Sequence, residues 1–119
     1  MKIKDVKDRL KEWSDKDLMP EGQVIRLIND LEKQICNDLL SRRETGIEYI
    51  EHKSVSEECI LPSEYGEMYV HYILSAVYTR RYETERAAVH TAAFNNIYKS
   101  YGNYVTRAYP PKPCARIRG

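Results

Sequence analysis

The sequence predicts an all-α fold of four helices, and three observations carry that reading. Apolar residues recur every three or four positions along most of the chain, the spacing of a helix face turned to a core. Prolines, glycines and short polar runs interrupt those stretches where helices have to end. With 119 residues, 42% hydrophobic and 31% charged, the chain has the composition of one folded domain.

Ile3, Val6, Leu10 and Trp13 place a short amphipathic helix at 3–13, its outer face dense in both signs of charge. Ser14 to Pro20 reads as a polar break. Val24, Ile28, Leu31, Ile35 and Leu39 then draw one stripe, widened by Ile25, Leu27 and Leu40, along a second helix from 21 to 43. Arg42 and Arg43 suit its carboxyl end and Gly46 suits its termination. Residues 45–61 change character. Ile47, Tyr49 and Ile50 are strand-like, His52 to Glu58 are polar, and Ile60-Leu61 precede Pro62, so a short hairpin or extended loop is expected.

Pro62 and Ser63 open a third helix reaching about Tyr82. Tyr65, Met68, Tyr69, Tyr72, Ile73, Ala76 and Val77 share one face, with Val70, Leu74 and Tyr78 on the other. A helix apolar all round belongs at the centre or under a partner. Glu83-Thr84-Glu85 makes a tight turn, with Thr84 as the cap. Ala87, Thr91, Phe94, Tyr98, Tyr101, Val105 and Ala108 keep a four-three rhythm along a fourth helix, 85–108, antiparallel to the third. Gly102 inside it implies close packing or a bend. The domain is therefore expected over 1–109. Residues 110–119, with Pro110, Pro111 and Pro113, form an extended basic tail.

Charge is distributed by position. Residues 1–85 hold 13 basic and 18 acidic side chains, a net of −5, whereas residues 86–119 hold six basic ones and no acid. Ten tyrosines stand against one phenylalanine. A closed core favours Phe, because every buried Tyr must find a partner for its hydroxyl, whereas Tyr and Arg are the residues of interfaces. Tyr65, Tyr69, Tyr98, Tyr101 and Tyr104 are the candidates for packing within or between subunits. Tyr109, Pro110, Pro111, Lys112, Arg116 and Arg118 form a candidate docking arm.

Catalytic signatures are missing: no glycine-rich phosphate loop, no Gly-x-Ser-x-Gly elbow and no His-Glu-x-x-His pair. His71 and His90 read as core-flanking residues, and Glu83 and Glu85 as helix-start electrostatics. Cys36, Cys59 and Cys114 are scattered and read as reduced thiols. With His52 and His71, Cys59 and Cys114 match no tight zinc spacing. No catalytic, cofactor or metal site is expected. No apolar run approaches a membrane span, and the charged start Met1-Lys2-Ile3-Lys4-Asp5 is not a signal peptide, so a cytoplasmic protein without membrane contact is expected.

The run Leu61-Pro62-Ser63-Glu64-Tyr65, followed by Met68-Tyr69, Tyr72 and Ile73, resembles the head–tail connector, or adaptor, proteins of tailed bacteriophages and prophages. The turn Tyr82-Glu83-Thr84-Glu85-Arg86 and the element Phe94-Asn95-Asn96-Ile97-Tyr98 extend the likeness, which is clearest over 60–109 and looser over 20–44. That family's early tryptophan in the second helix has no counterpart, the only Trp being Trp13. The resemblance implies a helical homo-oligomeric ring, generally dodecameric, at the head–tail junction of the virion. Such a ring lies beneath the portal protein, extends the DNA channel and gives tail-completion or tail-terminator proteins a docking surface. It implies no catalysis, no cofactor and at most weak, non-specific contact with DNA. The rival reading is a small DNA-binding regulator using the first two helices as a helix-turn-helix. Residues 1–44 carry mixed charge, without the one-sided basic face that reading needs.

Overall fold

The computed structural model describes residues 1–13 and 19–112. The expected polar break at 14–20 lies mostly outside them, as do Cys114, Arg116 and Arg118. The described chain is all-α: α1 (Ile3–Leu10), α2 (Glu21–Ile35), α3 (Glu67–Arg80) and α4 (Thr84–Ala108).

Each helix departs from the sequence reading at an end, for a local reason. Beyond Ile35, α2 continues as a wider π turn over Cys36–Leu40, closed by Ser41 N–H donating to the Cys36 carbonyl at 2.8 Å. The helix thus stops short of residue 43. The third helix is delayed by Gly66: Ser63–Tyr65 form a single 3₁₀ turn before α3 begins. Thr84 is the first residue of α4 rather than its cap. Glu83 holds the cap position with no side-chain cap bond and pairs instead with Arg86 at 3.3 Å.

Among the described residues 45–61 form no strand, so of the hairpin and the loop expected there the chain takes the loop. This strap bonds to other elements as well as within its own turn, where the Glu57 carboxylate accepts from the Lys53 and Ser54 N–H groups at 2.8 and 2.9 Å. Glu57 and Val55 carbonyls accept from the N–H groups of Ile3 and Lys4 at 3.1 and 2.9 Å, capping the first turn of α1, and Cys59 N–H donates to the Met1 carbonyl. Asp5 reaches back to the Lys2 N–H at 2.8 Å and completes that start.

The core is built round α3. Met68, Tyr69, Val70, Ile73, Leu74, Val77 and Tyr78 are all buried, as the all-round apolar pattern requires. Ile3, Val6 and Leu10 of α1 cover one side, and Val24, Leu27, Ile28, Leu31 and Ile35 of α2 another. The pairs Tyr65–Tyr104, Tyr72–Phe94 and Ser75–Thr91 run in opposite directions along the two chains, so α3 and α4 are antiparallel. Only Ala87, His90, Tyr101 and Val105 of the 25 residues in α4 are buried. The molecule measures 56 × 31 × 22 Å with a radius of gyration of 15.7 Å. A compact chain of this length has about 13.5 Å, so the hairpin lengthens the body. No helix among the described residues is long and apolar enough to cross a membrane.

Candidate interaction surface

The tyrosines divide by depth. Tyr69 has no exposed surface, and Tyr101 retains 2%. Both are therefore internal packing residues of the subunit, out of a partner's reach. Tyr65, Tyr98, Tyr104 and Tyr109 are half-buried along α4 and its flanks. Their rings run as a chain: Tyr65 lies edge-on to Tyr101 at 5.1 Å, Tyr101 stacks on Tyr104 at 6.0 Å, and Tyr104 meets Tyr109 at 6.5 Å. Tyr98 contacts Phe94 at 5.6 Å and donates to Asp38 at 3.3 Å, tying α4 to the π turn. Burial raises the Tyr98 and Tyr101 phenols above their ordinary range, and Tyr109 chiefly raises Tyr104. Tyr98 and Tyr104, with Phe94 and Ile97, are half-buried on the core-facing seam of α4, whereas its outer side presents Ala88, Val89, Ala92, Asn95, Asn96 and Asn103.

The tail's root lies on its own chain. Glu44 N–H donates to the Pro110 carbonyl at 2.9 Å, Lys112 N–H to the Arg42 carbonyl at 3.0 Å, and the Arg43 guanidinium to the Tyr109 carbonyl at 3.3 Å. Arg43 and Pro111 form an isolated antiparallel bridge. Tyr109, Pro110, Pro111 and Lys112 are thus the anchored part of the candidate arm, and Arg116 and Arg118 lie outside the described residues.

The other end, where α3 turns into α4, carries an apolar patch. Tyr82 is 91% exposed and sits at φ 59°, a left-handed conformation that only glycine adopts freely. Val89 is 65% and Trp13 47% exposed nearby, with Arg86 over the Tyr78 ring at 5.6 Å. Trp13 does not join the core as the first helix's periodicity suggests. It meets His90 and His71 edge-on at 5.0 and 5.6 Å. The two imidazoles stack and share a hydrogen bond between their Nδ1 atoms at 2.9 Å, so one must donate and the other accept. Desolvation lowers both pKa values. Glu67 opposes this for His71, while His71 adds to it for His90. This Glu67 lies one turn before His71 and is bound to Arg9 at 3.4 Å.

A second polar cluster lies inside. Glu32 is fully buried, and its carboxylate accepts from the Tyr69 hydroxyl at 2.6 Å and the Ile60 N–H at 2.9 Å, and meets His52 Nε2 at 2.6 Å. The other ring nitrogen of His52 meets Glu57 at 3.1 Å, and its backbone is held twice by Asn29. Cys59 beside this cluster is pushed up to about 12, first by burial and then by Glu32, which leaves an inert thiol. This is a latch that fastens the strap to α2 and α3. The sequence held its signal: Glu32 falls four residues after Ile28 and three before Ile35, on the apolar stripe itself. His52 and His71 belong to these two separate clusters, and no group of three or more His, Cys, Asp or Glu among the described residues is placed to hold a metal ion.

Compared with family models, curated proteins and solved structures, the chain finds no match.

Proposed function

We propose that the chain is a structural subunit of a phage or prophage head–tail connector, working by assembly rather than by chemistry. The observation that carries the reading is α4. A 25-residue helix with four buried residues turns Phe94, Tyr98 and Tyr104 towards the core and exposes an uncharged run, Ala88, Val89, Thr91, Ala92, Asn95 and Asn96, along a 56 Å body. Such a stripe fits burial against another subunit. The resemblance over residues 60–109 rests on the same hairpin.

Ring closure needs two different flanks, so that each copy presents one and receives the other. The exposed large apolar residues fit that need. Tyr82 lies at the hairpin turn, where Arg80, Arg81 and Arg86 outnumber Glu83 and Glu85, and Trp13 and Val89 share a hollow with Arg86, whereas Ile50 at 69% exposure lies on the strap among Glu48 and Glu51. Basic residues beside one apolar contact and acidic residues beside the other favour head-to-tail order over like-to-like pairing. The ring's partners would be the portal protein on one face and tail-completion proteins on the other, at the head–tail junction of the virion.

Sedimentation velocity of the chain mixed with its portal protein tests this. Several copies travelling with each portal support the connector. No co-sedimentation from low to physiological salt contradicts it. A gel shift with specific binding at physiological salt would favour the regulator instead.

A further inference from the structure

We infer that the hollow beside Trp13 is the receptor for Ile50 of a second copy of the chain. The contact rests on the assembly reading, names the two surfaces that meet between neighbours, and is testable on the chain alone.

The hollow encloses about 310 Å³, at the lower end of the range of ligand clefts. Trp13, Tyr78, Arg86, Val89 and His90 line it. Its aromatic walls are set before anything enters. The His90 ring stacks on Tyr78 at 5.5 Å, Trp13 stands edge-on to His90 at 5.0 Å, and the Arg86 guanidinium lies over Tyr78 at 5.6 Å. Yet Trp13 is 47% and Val89 65% exposed. Tryptophan, tyrosine and arginine round an apolar hollow are the residue types that dominate binding at interfaces.

Three observations select Ile50 as the occupant. Among the described residues the exposed large apolar side chains are Trp13 and Val89 in the hollow, Tyr82 at the turn, and Ile50. Ile50 is thus the one such knob outside the hairpin end, and at 69% exposure it does not fill its own copy's hollow. Presentation is the second. Ile47 and Tyr49 pack on the core, so Glu48 and Ile50 face outward, and Asn29 holds the backbone of nearby His52 twice, at 2.8 and 3.0 Å. A knob on a fixed backbone loses little freedom on docking. Charge is the third. Glu48 and Glu51 flank Ile50 and form no ion pair among the described residues, with Lys53 the one cation near them in sequence. Arg86 lines the hollow, and although Glu83 pairs with it at 3.3 Å, a guanidinium has donors left for a second carboxylate. A knob and a receptor at different places on one chain make a heterologous contact, which repeats from copy to copy and closes where the rotation allows.

Trp13 is the only tryptophan, so its emission reports whether the hollow is filled. Sedimentation velocity of the full chain, from micromolar to millimolar concentration, should show mass growing with a blue shift of that emission. Ile50→Asp and Val89→Asp lie on the surface and should keep the helical circular dichroism. Each should weaken association about tenfold or more. An equimolar mixture of the two variants should form a pair and nothing larger, because one intact hollow and one intact isoleucine remain. A chain monomeric at millimolar concentration, an Ile50→Asp variant that associates like the parent, or a mixture that stays monomeric overturns the contact. If the chain passes these tests and never joins a portal, the contact stands and the connector reading falls. If it joins the portal and fails them, the reverse holds.

Discussion

Glu32 has no exposed surface, and its position shows how one side chain organises three segments. A buried carboxylate is tolerated only where donors surround it. Here Tyr69 from α3, Ile60 from the strap and His52 converge on it. The Tyr69 hydroxyl also accepts from the Leu61 N–H at 3.1 Å, so Tyr69→Phe removes a donor and an acceptor at once. That variant should lose about 1–3 kcal/mol in urea denaturation, and an unchanged midpoint would refute the latch. Tyr82 makes the opposite case: its φ of 59° closes α3, with Glu83 N–H donating to the Tyr78 carbonyl at 2.9 Å and Tyr82 N–H to the Thr79 carbonyl at 3.1 Å, a cap position that glycine fills more easily, while its side chain is 91% exposed. Tyr82→Gly should raise stability by about 0.5–1 kcal/mol while weakening association with the portal. A loss of stability would show the φ value to be unstrained. The His71–His90 pair gives a pH dependence. Burial depresses both folded pKa values below the unfolded value of about 6.5, so the unfolded chain binds more protons. The pair's contribution is complete above about pH 6.5 and is lost as pH falls through the folded values. Glu67 and Arg86 face this cluster and shift the window without reversing its sign. Thermal melts from pH 7.5 to 5 should fall, and His90→Gln should flatten the slope. Stability rising with acid in that window would contradict the assignment.

At the scale of elements, the helices were legible because their burial follows from local spacing. The stripe of α2 and the all-round apolar surface of α3 are properties of the sequence alone, and both lie in the core as their periodicity requires. The strap was not legible in the same way. Ile47, Tyr49 and Ile50 have strand propensity, but a strand needs a partner, and the available donors and acceptors belong to α1, Asn29 and Glu32, which are distant in sequence. The tail's root escaped for the same reason: prolines announce an extended segment, and nothing local announces Arg42 to Glu44 as its partner. Glu32 and the histidine pair depend likewise on which helix faces which. Gly102 resolves plainly. A Cβ there would lie 3.6 Å from Leu39, an ordinary contact, and α4 runs through it. Gly102→Ala should therefore stabilise the chain by about 0.5–1 kcal/mol, read as a higher melting temperature. Destabilisation would mean that neighbouring copies or helices approach more closely than the subunit shows.

For the whole molecule, the opposed charges of residues 1–85 and 86–119 become a spatial matter only in part. α1 mixes both signs, and Arg86 is paired locally with Glu83. What remains is an elongated chain with a small and polar outer side on α4, a strained apolar tip and an acidic strap. Variants on the exposed side of α4, such as Ala92→Arg, should change association with the portal more than stability. For the proposed connector, the most direct measurement is electron microscopy of the chain mixed with a phage portal protein. The account predicts a closed ring of identical copies seated on the portal, coaxial with the channel, with α3–α4 hairpins at the subunit contacts. Portal particles that carry no added ring at saturating chain concentration would contradict it.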